Sequence, residues 1–503
     1  MHAKKAYAWL LEYFRETARY DSIRQLLDWD QRTFLPKDGH AHRAAQLATL
    51  AGVLSKRNTD PKIGEMLGEV ENSKMVRDPL ADEAVNAREW RRSYTRACKI
   101  PEQLAVELTR SASEGESAWQ ESKPRNDWDG FLPHLERIVD LKREEASLLA
   151  SGDEFYDALI EEFEPGERAE RIDVLFKKLL EPLHELLDKI LGAEKRPDTS
   201  ILRGNIPVSA QEAFITHILA CIGFDRARGR MDLSAHPFTS AIGPGDIRIT
   251  TRYDENFFSS ALFSAIHETG HALYGHGLPE KHWGTPRGSA VSMAIHESQS
   301  LMWENMVARS SGFWKRFYSE AQKHFHHLEA ISPDDFYLAI NEVRPDLIRT
   351  EADEVTYNLH IIMRFELERA LIRREIEPDD LPEAWNEKMS EYLGIVPPDF
   401  ASGVMQDVHW SGGAIGYFPS YALGNIYAAQ LYFKAAEDMG SLDQVFESGN
   451  FQDFVIWLRR KIHSQGSRYL PRDLIKAATG EELNPDYLVR YLTSKYGELY
   501  AID

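Results

Sequence analysis

Apolar side chains return every third or fourth position along most of this chain, a period that admits helices and little else. Tyr7, Leu10, Leu11 and Phe14, then Ile23, Leu26 and Leu27, mark one such stripe within residues 5–30. The period recurs over 41–55, 81–98, 101–122, 128–150 and 153–193, with charged residues on the outer, solvated faces. Strand signals are scarce. The best lies at 246–253, alternating and β-branched, directly after a Gly-Pro-Gly-Asp turn. Pro/Gly clusters near 163–167, 195–206 and 277–288 read as loops inside one body. The expectation is a mainly α fold, a single large domain over 1–503 with one small β-sheet. Within it, residues 1–200 form a partly separate N-terminal helical lobe and residues 201–503 the catalytic part.

The formal charge is −21, from 80 acidic and 59 basic side chains. A field of that sign repels phosphate backbones and anionic bilayers, so no nucleic-acid or membrane partner is expected. The two cysteines, Cys98 and Cys221, share no metal-type spacing and fit a reducing cytoplasm. The first residues are basic but lead into no apolar signal-peptide core, so they read as a helix start. No window approaches 18 uninterrupted apolar residues, the length a membrane span needs.

The chemistry concentrates at His267-Glu268-Thr269-Gly270-His271. On a helix, positions four apart project from one face, so two imidazoles can reach one Zn2+. Glu268 is rotated off that face, where a base for a metal-activated water is needed. Phe263, His267, Gly270, His271 and Tyr274 form one inward stripe, and Gly275, Gly277 and Pro279 stop the helix. The alternative is a pair of buried histidines with ordinary hydrogen bonds. A third ligand should follow. Residues 288–309 read as a return helix with Ala290, Ala294, Glu297 and Leu301 on one stripe. A lone carboxylate there is costly unless paired or metal-bound. His267, His271 and Glu297 together leave a fourth position open for water.

With these residues in view, the chain resembles the carboxypeptidase Taq family of thermostable H-E-x-x-H metallocarboxypeptidases. Six short motifs carry the resemblance, in order. They are His236-Pro237-Phe238, Asp246-Ile247-Arg248-Ile249-Thr250, the His267–His271 pattern, His296-Glu297-Ser298-Gln299, Ile348-Arg349-Thr350-Glu351-Ala352-Asp353, and Gly403-Val404-Met405-Gln406-Asp407-Val408-His409-Trp410. The resemblance implies a saddle-like helical subunit with a deep active-site groove, the small sheet lying beside the metal. It also implies a homodimer. The implied reaction is release of single residues from peptide C-termini, broad in preference and poor for proline, with one Zn2+ per subunit that Co2+ can replace.

In that reading Glu268 takes a proton from the attacking water and passes it to the leaving amine. The similarity suggests His409 and Tyr421 as donors to the transition state, from a Gly-rich loop running into a helix near 420. Tyr417 is a candidate substrate contact, and so is His236 from its motif. The other reading of Trp410, Tyr417, Phe418 and Tyr421 is plain packing. A free α-carboxylate suits an arginine fork, which makes Arg248 and Arg349 candidates. Arg349 and Asp353, four apart, could instead form a surface ion pair, or Asp353 could orient a metal-binding histidine from behind. The tract His324-Phe325-His326-His327 reads as a solvated helix face. The rival readings are a helical zinc oligoendopeptidase or dipeptidyl carboxypeptidase, and an inactive helical scaffold.

Overall fold

The computed structural model describes residues 3–502. Among the described residues nine α-helices precede any strand: α1 (Ala3–Thr33), α2 (His40–Asn58), α3 (Pro61–Glu71), α4 (Asp82–Lys99), α5 (Glu102–Ser122), α6 (Trp128–Leu149), α7 (Tyr156–Phe163), α8 (Ala169–Gly192) and α9 (Val208–Ile222). Three short strands follow, β1 (Gly229–Leu233), β2 (Thr239–Gly243) and β3 (Asp246–Thr251). Then come α10 (Phe258–Gly277), α11 (Met293–Leu301), α12 (Ser311–His324), α13 (Pro333–Ala339), α14 (Thr356–Arg373), α15 (Leu381–Leu393) and α16 (Pro419–Met439). The chain closes with α17 (Leu442–Glu447), α18 (Phe451–Lys461), α19 (Pro471–Thr479) and α20 (Asp486–Tyr500). The protein is mostly helical, one domain with a small sheet. Among the described residues no helix is long and apolar enough to cross a membrane.

The helical period located these elements well, with three differences. The stretch 153–193 is two helices, because Pro165 and Gly166, the latter at φ 81°, turn the chain between α7 and α8. The return helix begins at Met293, where the Ser292 hydroxyl accepts from Ile295 N–H, so Ala290 lies outside it. The histidine tract is not one face: α12 ends at His324, His326 pairs with Glu329 in solvent, and His327 packs near Phe258.

A separate small core joins α1, α3 and α4 through Ala6, Leu10, Ile63, Met66, Leu67, Val70 and Trp90. From Trp128 onward nearly all buried apolar side chains belong to one continuous core. The independent part of the N-terminal region is therefore much shorter than 1–200, because the apolar faces of α6 and α8 are already buried against the catalytic helices.

The sheet has the order β1-β3-β2, with β1 parallel and β2 antiparallel to β3. Its buried Ile247 and Ile249 seat it on α10. Gly275 permits this approach, since a Cβ there would lie 2.5 Å from Ile247 Cδ1. The Thr251 hydroxyl donates to Ala261 carbonyl at 3.0 Å and ties β3 to the same helix. Helix α10 is buried nearly all round. Each of its fully buried large residues, such as Leu262, Ile266 and Leu273, contributes about 1.5–3 kcal/mol. The polar groups of the site are thus carried on a rigid central rod.

Candidate metal centre

His267 and His271 sit one turn apart on α10, and α11 runs against that face. The two backbones meet at Gly270: a Cβ there would lie 2.6 Å from Ser300 Cα and 2.7 Å from Gln299 carbonyl oxygen. Any larger residue would push the helices apart. The close approach brings Glu297, on α11, opposite both imidazoles. Its Oε1 lies 3.7 Å from His267 Nε2 and its Oε2 3.5 Å from His271 Nε2. One ligand atom from each residue falls within 4.8 Å of the others. Ligands at zinc distance from a shared ion stand about 3.3 Å apart, and both Glu297–imidazole distances are within a few tenths of an ångström of that.

The far nitrogens of both rings are occupied. His267 Nδ1 donates to Glu304 Oε2 at 2.8 Å, and His271 Nδ1 shares a proton with His296 Nδ1 at 2.6 Å. A carboxylate only accepts, so Nδ1 of His267 keeps its proton and Nε2 is the nitrogen that can give its lone pair to a metal. Burial opposes charge on His267, yet Glu297 and Glu304 outweigh it and push the imidazole up to about 10. Three carboxylates around one ring, Glu268, Glu297 and Glu304, call for a cation at this spot, and a metal ion meets that demand. The donor set fits a divalent metal.

Glu268 points off the ligand face toward the sheet. Thr239 of β2 donates its hydroxyl to Glu268 Oε2 at 2.6 Å. Burial, reinforced by the neighbouring carboxylates, pushes Glu268 up to about 7, near the range in which a base can both take and return a proton.

The opposite wall is aromatic. His409 Nε2 lies 3.2 Å from Tyr421 Oη, in the first turn of α16, with Tyr417 and Phe418 against the same imidazole. This wall faces the candidate ligand Glu297: Gly424, one turn beyond Tyr421, lies beside it, and its charge helps raise Tyr357, Tyr417 and Tyr421. Burial pushes Tyr421 up to about 12 and, helped by Arg349, holds His409 down at about 4. Both groups are therefore neutral near neutral pH, which suits donors.

Two buried carboxylates set this wall. Glu368 on α14 accepts from Trp410 Nε1 at 2.8 Å, Gly416 N–H at 2.9 Å and Tyr156 hydroxyl at 2.6 Å, clamping both ends of the loop that follows His409. Glu164, just past α7, accepts from Ala294 N–H at 2.6 Å and Ser420 hydroxyl at 2.8 Å, tying the starts of α11 and α16 together.

Arg349 is buried, not part of a surface ion pair. Its Nε and Nη2 meet Asp407 Oδ1, each at 2.9 Å, and its Nη1 donates to Tyr357 hydroxyl at 3.2 Å. Arg364 binds the other oxygen of Asp407 at 2.7 Å. Burial alone would raise Asp407, but these two guanidinium groups hold it well below the usual carboxylate range. Asp353 does not face a histidine. It starts α14, accepting from Val355 and Thr356 N–H, while Glu304 takes the place behind His267. Arg248 spends its fork on Asp246, at 2.8 Å twice, and lies 4.2 Å over the Trp29 ring of α1. His236 is exposed in the β1–β2 loop, with its carbonyl accepting from Ser234 hydroxyl. Sequence reasoning missed Glu304, Thr239, Arg364 and Glu368. Glu304 carried a signal, lying two helical turns after Glu297, and Thr239 directly follows the His236-Pro237-Phe238 motif.

Against known proteins, the family model described as carboxypeptidase Taq (M32) metallopeptidase matches residues 9–496. The chain belongs to that family. It is 54% identical to thermostable carboxypeptidase 1 of Thermus thermophilus over the full length of both chains. It is 40% identical to carboxypeptidase 1 of Bacillus subtilis, with 98% of each covered. The M32 carboxypeptidase structure of Deinococcus radiodurans superposes with a TM-score of 0.95 at 37% identity, covering 99% of this chain and all of that one. This M32 protein is thus a metallocarboxypeptidase, a hydrolase of peptides.

Proposed function

We propose that this M32 enzyme holds one Zn2+ through His267, His271 and Glu297 and releases single residues from peptide C-termini. The observation that carries the reading is the convergence of two imidazole Nε2 atoms on one buried carboxylate, each ring held from behind. A bound divalent ion supplies a Lewis acid that polarises the scissile carbonyl and acidifies the attacking water. Glu268, fixed by Thr239, takes the water proton and returns it to the leaving amine. Tyr421 and His409, both neutral, donate to the oxygen on which charge develops. Tyr417, against Tyr421, lines the substrate's path.

The substrate carboxylate belongs beside Arg349 and Arg364. One Asp407 between two guanidinium groups leaves an excess buried positive charge, and Arg364 Nη2 has no partner. Arg248 suits this task less, since it has a carboxylate of its own, Asp246, whereas Asp407 is shared by two arginines. His236, exposed on the β1–β2 loop, is a candidate contact for the rest of the peptide. Broad preference with poor release of proline, a homodimer, replacement of zinc by Co2+ and a cytoplasmic site of action complete the proposal.

The test combines metal analysis with timed release of amino acids from one N-blocked peptide. One zinc per chain and stepwise single residues are expected, with activity lost on chelation and restored by Zn2+ or Co2+. Dipeptides or internal cuts would move the reading to the oligoendopeptidase or dipeptidyl type, and activity indifferent to chelation would end it.

A further inference from the structure

Directly after α11 the chain makes a π-turn, Met302–Val307, in which Ala308 N–H bonds back five residues to Trp303 carbonyl at 2.9 Å. Such wide turns cluster at functional sites. In an α-helix, side chains five apart diverge by about 140°. In the wider turn they become neighbours. Arg309 lies five residues after Glu304, and its Nη2 stands 3.7 Å from Glu304 Oε1. The other oxygen of the same carboxylate, Oε2, holds His267 Nδ1.

Arg309 is itself tightly fixed. Its Nη1 donates to Ile340 carbonyl at 2.5 Å, and its guanidinium lies 3.8 Å over the Phe263 ring, one turn before His267 on α10. The turn is braced from α20, where Tyr491 hydroxyl and Lys495 Nζ reach Asn305 carbonyl at 3.2 and 3.4 Å. A ligand histidine, its carboxylate and an arginine thus form one chain, and the arginine is anchored on the helix that carries the histidine.

We propose that Arg309 is a positioning residue for the metal centre, acting through Glu304 to fix the ring and tautomer of His267. The guanidinium selects the Glu304 rotamer that faces His267 and shares its negative charge. This rests on the reading that His267 holds the metal. The role is specific to affinity for the ion, which a residue that merely packs would leave unmoved in folded protein.

The test is a double-mutant cycle read as zinc dissociation constants, measured on folded apo protein by competition with a chromophoric chelator. Glu304→Gln should weaken binding about 10–100-fold, the usual effect of losing an outer-shell partner. Arg309→Met should weaken it by a smaller factor, and the double variant should bind no more weakly than Glu304→Gln alone. Multiplying effects, or an unchanged constant in Arg309→Met, would overturn the assignment. Should Arg309→Met not fold, Arg309→Lys, which keeps charge but loses the fork, should bind zinc more weakly than wild type, and a wild-type constant there would also overturn it. Wild-type protein that binds no stoichiometric zinc would defeat the underlying metal reading, a result distinct from additivity in the cycle.

Discussion

The two walls of the site are built differently. The wall proposed to hold the metal stands on α10 and α11, two packed helices whose contact at Gly270 brings His267, His271 and Glu297 together. The aromatic wall stands on a loop and the first turn of α16, and its shape depends on buried carboxylates, Glu368 and Glu164, from distant segments. The lesson is that regular helices place the proposed metal ligands locally, whereas the groups proposed to meet the reacting carbonyl are placed by long-range polar clamps.

If this division holds, damage to each wall should read out differently. The largest effect is expected for Glu268→Gln, which should lower kcat by about 10²–10⁴-fold while zinc content stays at wild-type level. Full turnover in zinc-loaded Glu268→Gln would remove it as the base. On the aromatic wall, Tyr421→Phe should lower kcat by about 10²-fold with little change in KM and none in zinc affinity. A change confined to KM would make Tyr421 a binding residue.

Glu368→Gln sharpens the comparison at the clamp. Whichever way the amide turns, its NH2 faces either Trp410 N–H or Gly416 N–H, and neither can accept. A loss of about 1–3 kcal/mol in stability is expected from denaturant unfolding at pH 8, with the zinc constant unmoved. A weakened zinc constant would show that the two walls are not independent.

A fourth effect, read as a pH slope, concerns Glu164. Burial pushes its carboxyl up to about 8 in the folded chain, against an ordinary value of 4.5. A raised acid favours the folded state below the unfolded value, and that contribution is lost as pH rises through the folded one. Stability should therefore decline between about pH 4.5 and 8, and Glu164→Gln should flatten part of that slope. An identical slope in the variant would mean Glu164 is ionised throughout.

Much of the fold was legible because its helices are long and strongly periodic. Strand β3 was legible from alternation, while β1 and β2 were not, since five-residue strands of mixed polarity carry little pattern. His267, Glu268, His271 and Glu297 could be proposed from spacing, as helix periodicity turns sequence distance into direction. Arg349 misled, because four-residue spacing to Asp353 suggests an ion pair only if both sit on one helix. Here a 3-10 turn at Arg349–Glu351 ends before Asp353, and Arg349 turns inward to Asp407. Glu368 and Arg364 gave no local signal, because their partners lie more than 40 residues away.

By itself the sequence determined the helical character, the pairing of two imidazoles on one helical face and the family motifs, because each is a property of neighbours along the chain. Only the tertiary structure decided that Glu304 backs His267, that Thr239 holds Glu268, and that Asp407 is gripped by two arginines. Those contacts join segments whose meeting is set by the packing of α10, α11, α14 and α16 together, and no spacing rule encodes where a folded chain returns to itself.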